Sequence, residues 1–281
     1  MRLHTQEWGT GERLAVLVHG IMADHRTWHE LVPVLTDRGY RVLAVDLRGH
    51  GASARGAYAP QLFAEDLLET LPRRPELALG HSLGALALAL AVEELAPDRA
   101  VYSEPAWRLS GSQGTLDPAL FTLFKRSPRL LRSFSRPPEN ARPAAAPPAT
   151  STTPPTDDRP RHNRPTGDRP TGDRPAADRT TDAAQLSARE TARIAAERQA
   201  LDSWDENSAL ALSSYRLVDH TPKKALVRSL VQASDPSLLV STEMRAELVR
   251  RGFEVRTVPA APHAIHRNHF DAFVTSLSGW L

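Results

Sequence analysis

Leu77-Ala78-Leu79-Gly80-His81-Ser82-Leu83-Gly84-Ala85 joins a short apolar run to an Ala- and Leu-rich run that continues to Leu95. The first half reads as a buried strand and the second as a helix, with Gly-x-Ser-x-Gly at the junction. A turn this sharp drives its central residue into a strained backbone conformation, and the positions two before and two after it must lack bulk. Gly80 and Gly84 meet that demand, and Ser82 is pushed out where another molecule can reach it. The first amides and the dipole of the following helix favour negative charge beside the serine. Two glycines around a serine recur by chance in many chains. The strand–turn–helix setting is what makes Ser82 a candidate nucleophile and the Leu83 amide a candidate anion donor.

Outward from this turn, apolar runs alternate with amphipathic segments, as in a mostly parallel sheet covered by helices on both faces. Strands are expected at Arg2–Trp8, Leu14–Val18, Arg41–Asp46, Glu76–Leu79, Ala100–Ser103, Leu226–Gln232 and Glu254–Val258. Helices are expected at Trp28–Arg38 and Pro60–Leu71, where Leu62, Phe63, Leu67, Leu68 and Leu71 line one face. The alternation stops after Ser103 and resumes at Leu226, which divides the chain into a core at 1–105 and 225–281 and a lid insertion at 106–224. Inside the insertion, Leu116–Phe134 has the pattern of one or two short helices and Ser187–Trp204 that of a longer one. Between them, Arg136 to Asp182 holds no Leu, Ile, Val, Met, Phe, Tyr or Trp, and Arg-Pro pairs recur at Arg159, Arg164, Arg169 and Arg174. Such a segment cannot build a core, so 136–182 is expected to be disordered spacer.

Composition narrows the function. With 281 residues, 41% of them hydrophobic, the chain can bury one substantial core. Lys and Arg number 35 against 33 Asp and Glu, too even a balance to suggest a nucleic-acid partner. The chain has no cysteine, which removes disulfides and thiolate chemistry. No run approaches the ~20 apolar residues of a membrane span, and the early apolar run Leu14–Val18 is too short for a signal-peptide core, so a cytoplasmic location is expected. Oligomeric state is not readable. Neither metal-ligand spacing nor a phosphate-cradling glycine loop stands out, so activity without a cofactor or metal is expected.

A serine hydroxyl attacks only when a base takes its proton, and that base is in turn oriented by a carboxylate. Ligand sites of open parallel sheets lie at the carboxyl ends of the strands. His263 follows the strand Glu254–Val258 at that edge, nearer the strand end than His266 and His269. Asp235 follows the strand Leu226–Gln232 and is the preferred acid, while Glu104, after Ala100–Ser103, is the rival. The order Ser82, Asp235, His263 is that of three groups borne on strand ends of one sheet. A second anion donor is expected where the first long strand exits, at Val18-His19-Gly20-Ile21, with Gly20 permitting the turn and the Ile21 amide aimed inward. His19 reads as a structural histidine bonded to loop backbone.

With these residues in view the chain resembles the α/β-hydrolase superfamily, in particular its capped branch of esterases, carbon–carbon bond hydrolases and cofactor-free haloperoxidase-like enzymes. The likeness rests on His19-Gly20, the loop Asp46-Leu47-Arg48-Gly49-His50-Gly51-Ala52-Ser53, the Gly80–Gly84 elbow, Asp235, and Pro262-His263 leading through Phe270 to Phe273. It implies an α/β-hydrolase fold and a small-molecule acyl substrate, with Arg48 and His50 as scaffold. Epoxide hydrolases and haloalkane dehalogenases of the branch place an acid where Ser82 stands. Ester hydrolysis is therefore the expected activity. Thioester or carbon–carbon bond cleavage on the same scaffold is the alternative, and a non-catalytic binding protein that kept the fold is the rival.

Overall fold

A computed structural model describes residues 1–108, 110–111, 114–115, 117–127 and 176–281, with the side chains of 110–111, 114–115 and 176–189 outside the description. Its centre is a seven-stranded sheet in the order β1-β3-β2-β4-β5-β8-β9. The strands are β1 (Thr5–Trp8), β2 (Arg13–Val18), β3 (Tyr40–Val45), β4 (Leu77–His81), β5 (Arg99–Ser103), β8 (Arg228–Asp235) and β9 (Glu254–Pro259). Only β1, at the edge, runs antiparallel to its neighbour. A two-stranded ribbon, β6 (Ser110–Gly111) with β7 (Gly114–Thr115), opens the insertion and was not foreseen from sequence.

Strand alternation sorts side chains to two cores. Val16, Val18, Ala78, Tyr102 and Val231 face α2 (Pro60–Thr70) and α3 (Leu83–Leu95), while Ala15, Leu17, Leu79, Val101 and Leu230 face α1 (Leu31–Thr36) and the C-terminal Phe273, Leu277 and Trp280. α3 is buried nearly all round because it lies against the sheet on one side and α2 on the other. Pro60 begins α2 at the position where its missing N–H costs no hydrogen bond. The expected Trp28–Arg38 helix is a 3₁₀ turn, His25–Trp28, followed by the short α1. Asp24 caps that turn by accepting from the Arg26 amide.

In the insertion, α4 (Pro118–Arg126) falls within the expected Leu116–Phe134, whose residues after 127 lie outside the description. α5 (Ala176–Ser203) begins eleven positions before the expected Ser187. Residues 176–182, expected to be disordered, are thus helical, while 136–175 lie outside the described residues. α6 (Asn207–Ser213) follows, and Met22, Phe124, Leu201, Trp204 and Ala209 form a third, smaller core that seats the insertion on the loop after β2. The insertion is also tied down at a scaffold loop, where the Tyr58 hydroxyl donates to Asp205 at 2.6 Å and the Asp205 amide donates to the Gly49 carbonyl at 2.7 Å. α7 (Thr242–Arg250), α8 (Ile265–Asn268) and α9 (Phe270–Thr275) complete the chain. Among the described residues no helix is long and apolar enough to cross a membrane.

Candidate active site

Ser82 sits between β4 and α3 with φ 51° and ψ −114°, a conformation that non-glycine residues rarely adopt. Backbone hydrogen bonds hold it there: its amide donates to the Ser103 carbonyl at 3.0 Å, and its carbonyl accepts from Leu86 at 3.1 Å and Ala106 at 3.2 Å. Although Ser82 precedes α3, its hydroxyl forms no capping bond and is left for other chemistry. The glycine requirement is steric. A β-carbon at Gly80 would lie 2.6 Å from the Gly84 carbonyl oxygen, and one at Gly84 would lie 2.3 Å from the Val18 oxygen. Gly20 is equally constrained, since a β-carbon there would meet His81 Nδ1 at 2.7 Å and Ser82 Cβ at 3.0 Å. That close approach brings the loop after β2 against the elbow.

Ile21 and Leu83 line a small cavity of about 50 Å³ together with Ser82, Ala106, Phe121, Ala209, Leu212, Ser213 and Arg216. Leu83 is the first residue of α3, so its N–H has no carbonyl one turn earlier to bond. The other walls include Phe121 of α4, on the apolar face of the expected Leu116–Phe134 helices, and Leu212 of α6, which was not singled out from sequence; both belong to the insertion.

His263 follows β9, and its Nδ1 lies 3.1 Å from Oε2 of Glu104. Glu104 directly follows β5 with φ 47° and is fully buried. That turn carries its side chain toward β8, where Oε1 accepts from the Ser234 amide at 2.7 Å and the Ser237 hydroxyl at 2.8 Å. Asp235, the acid preferred from sequence, is elsewhere. Rather than entering the loop it is the last residue of β8, paired with Pro259, and it is exposed. Its carbonyl accepts from the Ala260 amide, so its backbone steers the chain between β9 and His263 while Glu104 takes the place beside the imidazole. The strand's length accounts for the difference: β8 is buried on both faces from Ser229 to Ser234, and Asp235, its last residue, extends past that covered stretch. Ser237, which supports Glu104, was missed; the only sequence signal is its place just after Asp235-Pro236.

Three imidazoles cluster beneath the site. The His81 ring packs 4.8 Å from that of His263 and 4.6 Å from that of His266. His81 Nε2 donates to the His263 carbonyl at 3.1 Å, which ties residue 263 to the neighbour of Ser82. Burial, reinforced at His81 by the neighbouring imidazoles and at His266 first by the Arg267 charge, pushes the pKa of both well below the ordinary histidine value. His266 packs on Trp28 and bonds Thr27 Oγ1 through Nε2 at 2.9 Å, which makes it a support. His19 bonds backbone at both ring nitrogens, the Gly20 carbonyl at 2.7 Å and the Leu47 amide at 2.9 Å, as expected of a structural histidine. Arg48 forms a buried two-pronged pair with Asp66, and His50 bonds the Arg48 carbonyl, both within the scaffold.

A mostly parallel sheet with a strained serine at a strand-to-helix elbow, and a histidine–carboxylate pair borne on other strand ends of the same sheet, defines the α/β-hydrolase class of proteins. The model of the Alpha/beta hydrolase family matches residues 15–276, and the chain belongs to that family. It is 33% identical over 98 residues to polyneuridine aldehyde esterase of Rauvolfia serpentina, a stretch covering 32% of this chain and 37% of that protein. It is 36% identical over 89 residues to a non-heme chloroperoxidase of Kitasatospora aureofaciens, covering 30% of this chain and 32% of that protein. The matched stretches thus span about a third of these curated relatives. Among solved structures, the enol-lactonase from Burkholderia xenovorans LB400 superposes with a TM-score of 0.64 at 18% identity, over 99% of this chain and 95% of that one, a likeness of fold.

Proposed function

We propose that the protein is a serine hydrolase that cleaves an ester bond of a small molecule through an acyl-enzyme, with Ser82 as nucleophile, His263 as base and Glu104 as the carboxylate that orients it. The observation that carries this reading is the contact between Glu104 and His263 Nδ1 at the strand edge that bears Ser82. An imidazole held through Nδ1 offers Nε2 to the serine. Ser82 Oγ attacks the acyl carbon as its proton passes to His263 Nε2, and the carbonyl oxygen becomes an oxyanion held by the Ile21 and Leu83 amides. Collapse breaks the bond to the alcohol oxygen, which takes the proton from His263. Water then adds to the acyl-enzyme by the same route, the acid departs and Ser82 regains its proton. The cavity walls Ile21, Leu83, Ala106, Phe121, Ala209 and Leu212 suit an apolar acyl group. The likeness to an esterase over the matched stretch supports an oxygen leaving group.

The test is labelling by a fluorophosphonate together with turnover of p-nitrophenyl esters of graded chain length, on the natural chain and on Ser82→Ala. The reading expects labelling and hydrolysis that both vanish in the variant. Hydrolysis retained by Ser82→Ala would overturn it.

A further inference from the structure

Where β1 begins and β3 ends, three side chains from separate parts of the chain converge. His4 precedes β1, His25 opens the 3₁₀ turn, and Asp46 directly follows β3. Asp46 Oδ1 lies 2.8 Å from His25 Nδ1, Oδ2 lies 3.0 Å from His4 Nδ1, and one donor atom from each residue falls within 4.8 Å of the others. We infer that His4, His25 and Asp46 form a binding site for a divalent transition ion of the zinc class, distinct from the proposed active site.

The donor set is two imidazole nitrogens and one carboxylate, which suits zinc and its neighbours and does not suit the all-oxygen preference of calcium or magnesium. Two donors bound to tetrahedral zinc stand about 3.4 Å apart, a spacing that lies between the 2.8 and 3.0 Å contacts to Asp46 and the 4.8 Å that bounds the set, so small shifts of the two imidazoles would admit an ion. The proton now on each Nδ1 would leave as the ion enters, and Asp46 would contribute a negative charge. Backbone contacts fix the three residues in advance: the Asp46 amide donates to the His4 carbonyl at 2.9 Å, the His4 amide to Ser53 Oγ at 2.8 Å, and the His25 amide to Asp46 Oδ1 at 2.7 Å. The Ala52 amide holds Oδ2 at 3.0 Å and completes the outer support of the carboxylate. Asp46 is fully buried while His4 is 37% exposed, so an ion can enter past His4 and one coordination position remains for water. Such an ion would join residues from three separate segments of the chain. It would clamp the edge strand to the loop that carries Ile21.

The experiment is calorimetric titration of the full chain with zinc chloride at neutral pH, repeated with cobalt(II) while following visible absorption, on the natural protein and on His4→Gln, His25→Gln and His29→Gln. A saturable site is expected, weakened at least about tenfold by His4→Gln and by His25→Gln and unchanged by His29→Gln. Zinc should also raise the melting midpoint of the natural protein and not that of His4→Gln. Absence of saturable binding, or binding undiminished in both the His4 and His25 variants, would overturn the inference. The titration is independent of ester turnover, so its failure leaves the proposed hydrolase reading untouched.

Discussion

His263 Nδ1 meets Glu104 Oε2 at 3.1 Å across 159 positions of chain, while Asp235, on the neighbouring strand end, points to solvent. Two carboxylates at the same sheet edge are thereby separated into one that orients an imidazole and one whose backbone shapes a turn.

Substitution tells them apart. Glu104→Gln is expected to lower kcat about 10³- to 10⁴-fold, since an amide leaves the imidazole without a carboxylate to hold its tautomer and stabilise its charged form. Asp235→Asn, at an exposed side chain, should change it less than about threefold. Steady-state ester hydrolysis by both variants checks the assignment, and a large loss in Asp235→Asn would reverse it.

Ser237 acts through Glu104. Its hydroxyl donates to Oε1 at 2.8 Å and accepts from the Val240 amide at 2.8 Å, so it locks the carboxylate from behind. Ser237→Ala is expected to lower kcat about tenfold, the loss of one hydrogen bond to a charged group, with KM unchanged. Ser237→Thr, which keeps the hydroxyl, should restore most of the rate. Equal loss in both variants would assign Ser237 to packing alone.

The elbow tolerates no added carbon. Gly84→Ala would place a methyl 2.3 Å from the Val18 oxygen and 2.4 Å from the His19 oxygen, both main-chain atoms that cannot swing aside. A destabilisation of about 1–3 kcal/mol or more is expected, read as a lower denaturation midpoint, with activity falling further because β2 and its Ile21 loop are displaced.

Acid should weaken the fold before it reaches any ordinary carboxylate range. Burial, with the charge of His19 adding to it, pushes the His50 pKa down to about 3. Below about pH 6.5 the unfolded chain takes up a proton here that the folded chain refuses, so stability falls with falling pH until the folded value is reached. The contribution is about 1.4 kcal/mol per pH unit within that window. Urea titrations at a series of pH values should show a steep loss in the natural protein and a slope shallower by about that amount in His50→Gln.

Much of this architecture is written locally. The apolar run at Leu77–Leu79, the glycines at 80 and 84 and the Ala/Leu helix after them produce a strand, an elbow and a helix because each demand acts within a few residues of its cause. The same holds for Gly20, for the alternation that builds the parallel sheet, and for the break after Ser103 that announces an insertion. Strand ends shifted by at most three residues, and at β8 that shift matters: it makes Asp235 the last, exposed residue of the strand.

The kind of fold, the elbow that carries Ser82 and the place of His263 after a strand end are all legible from the residues in order, because chain connectivity and short-range sterics decide them. Tertiary structure alone decided which carboxylate meets His263, which insertion residues wall the cavity, and that His4, His25 and Asp46 meet at all. The physical reason is range. Glu104 is aimed by a left-handed turn at its own residue and by an amide and a hydroxyl 130 and 133 positions away, and no local pattern encodes where those partners arrive.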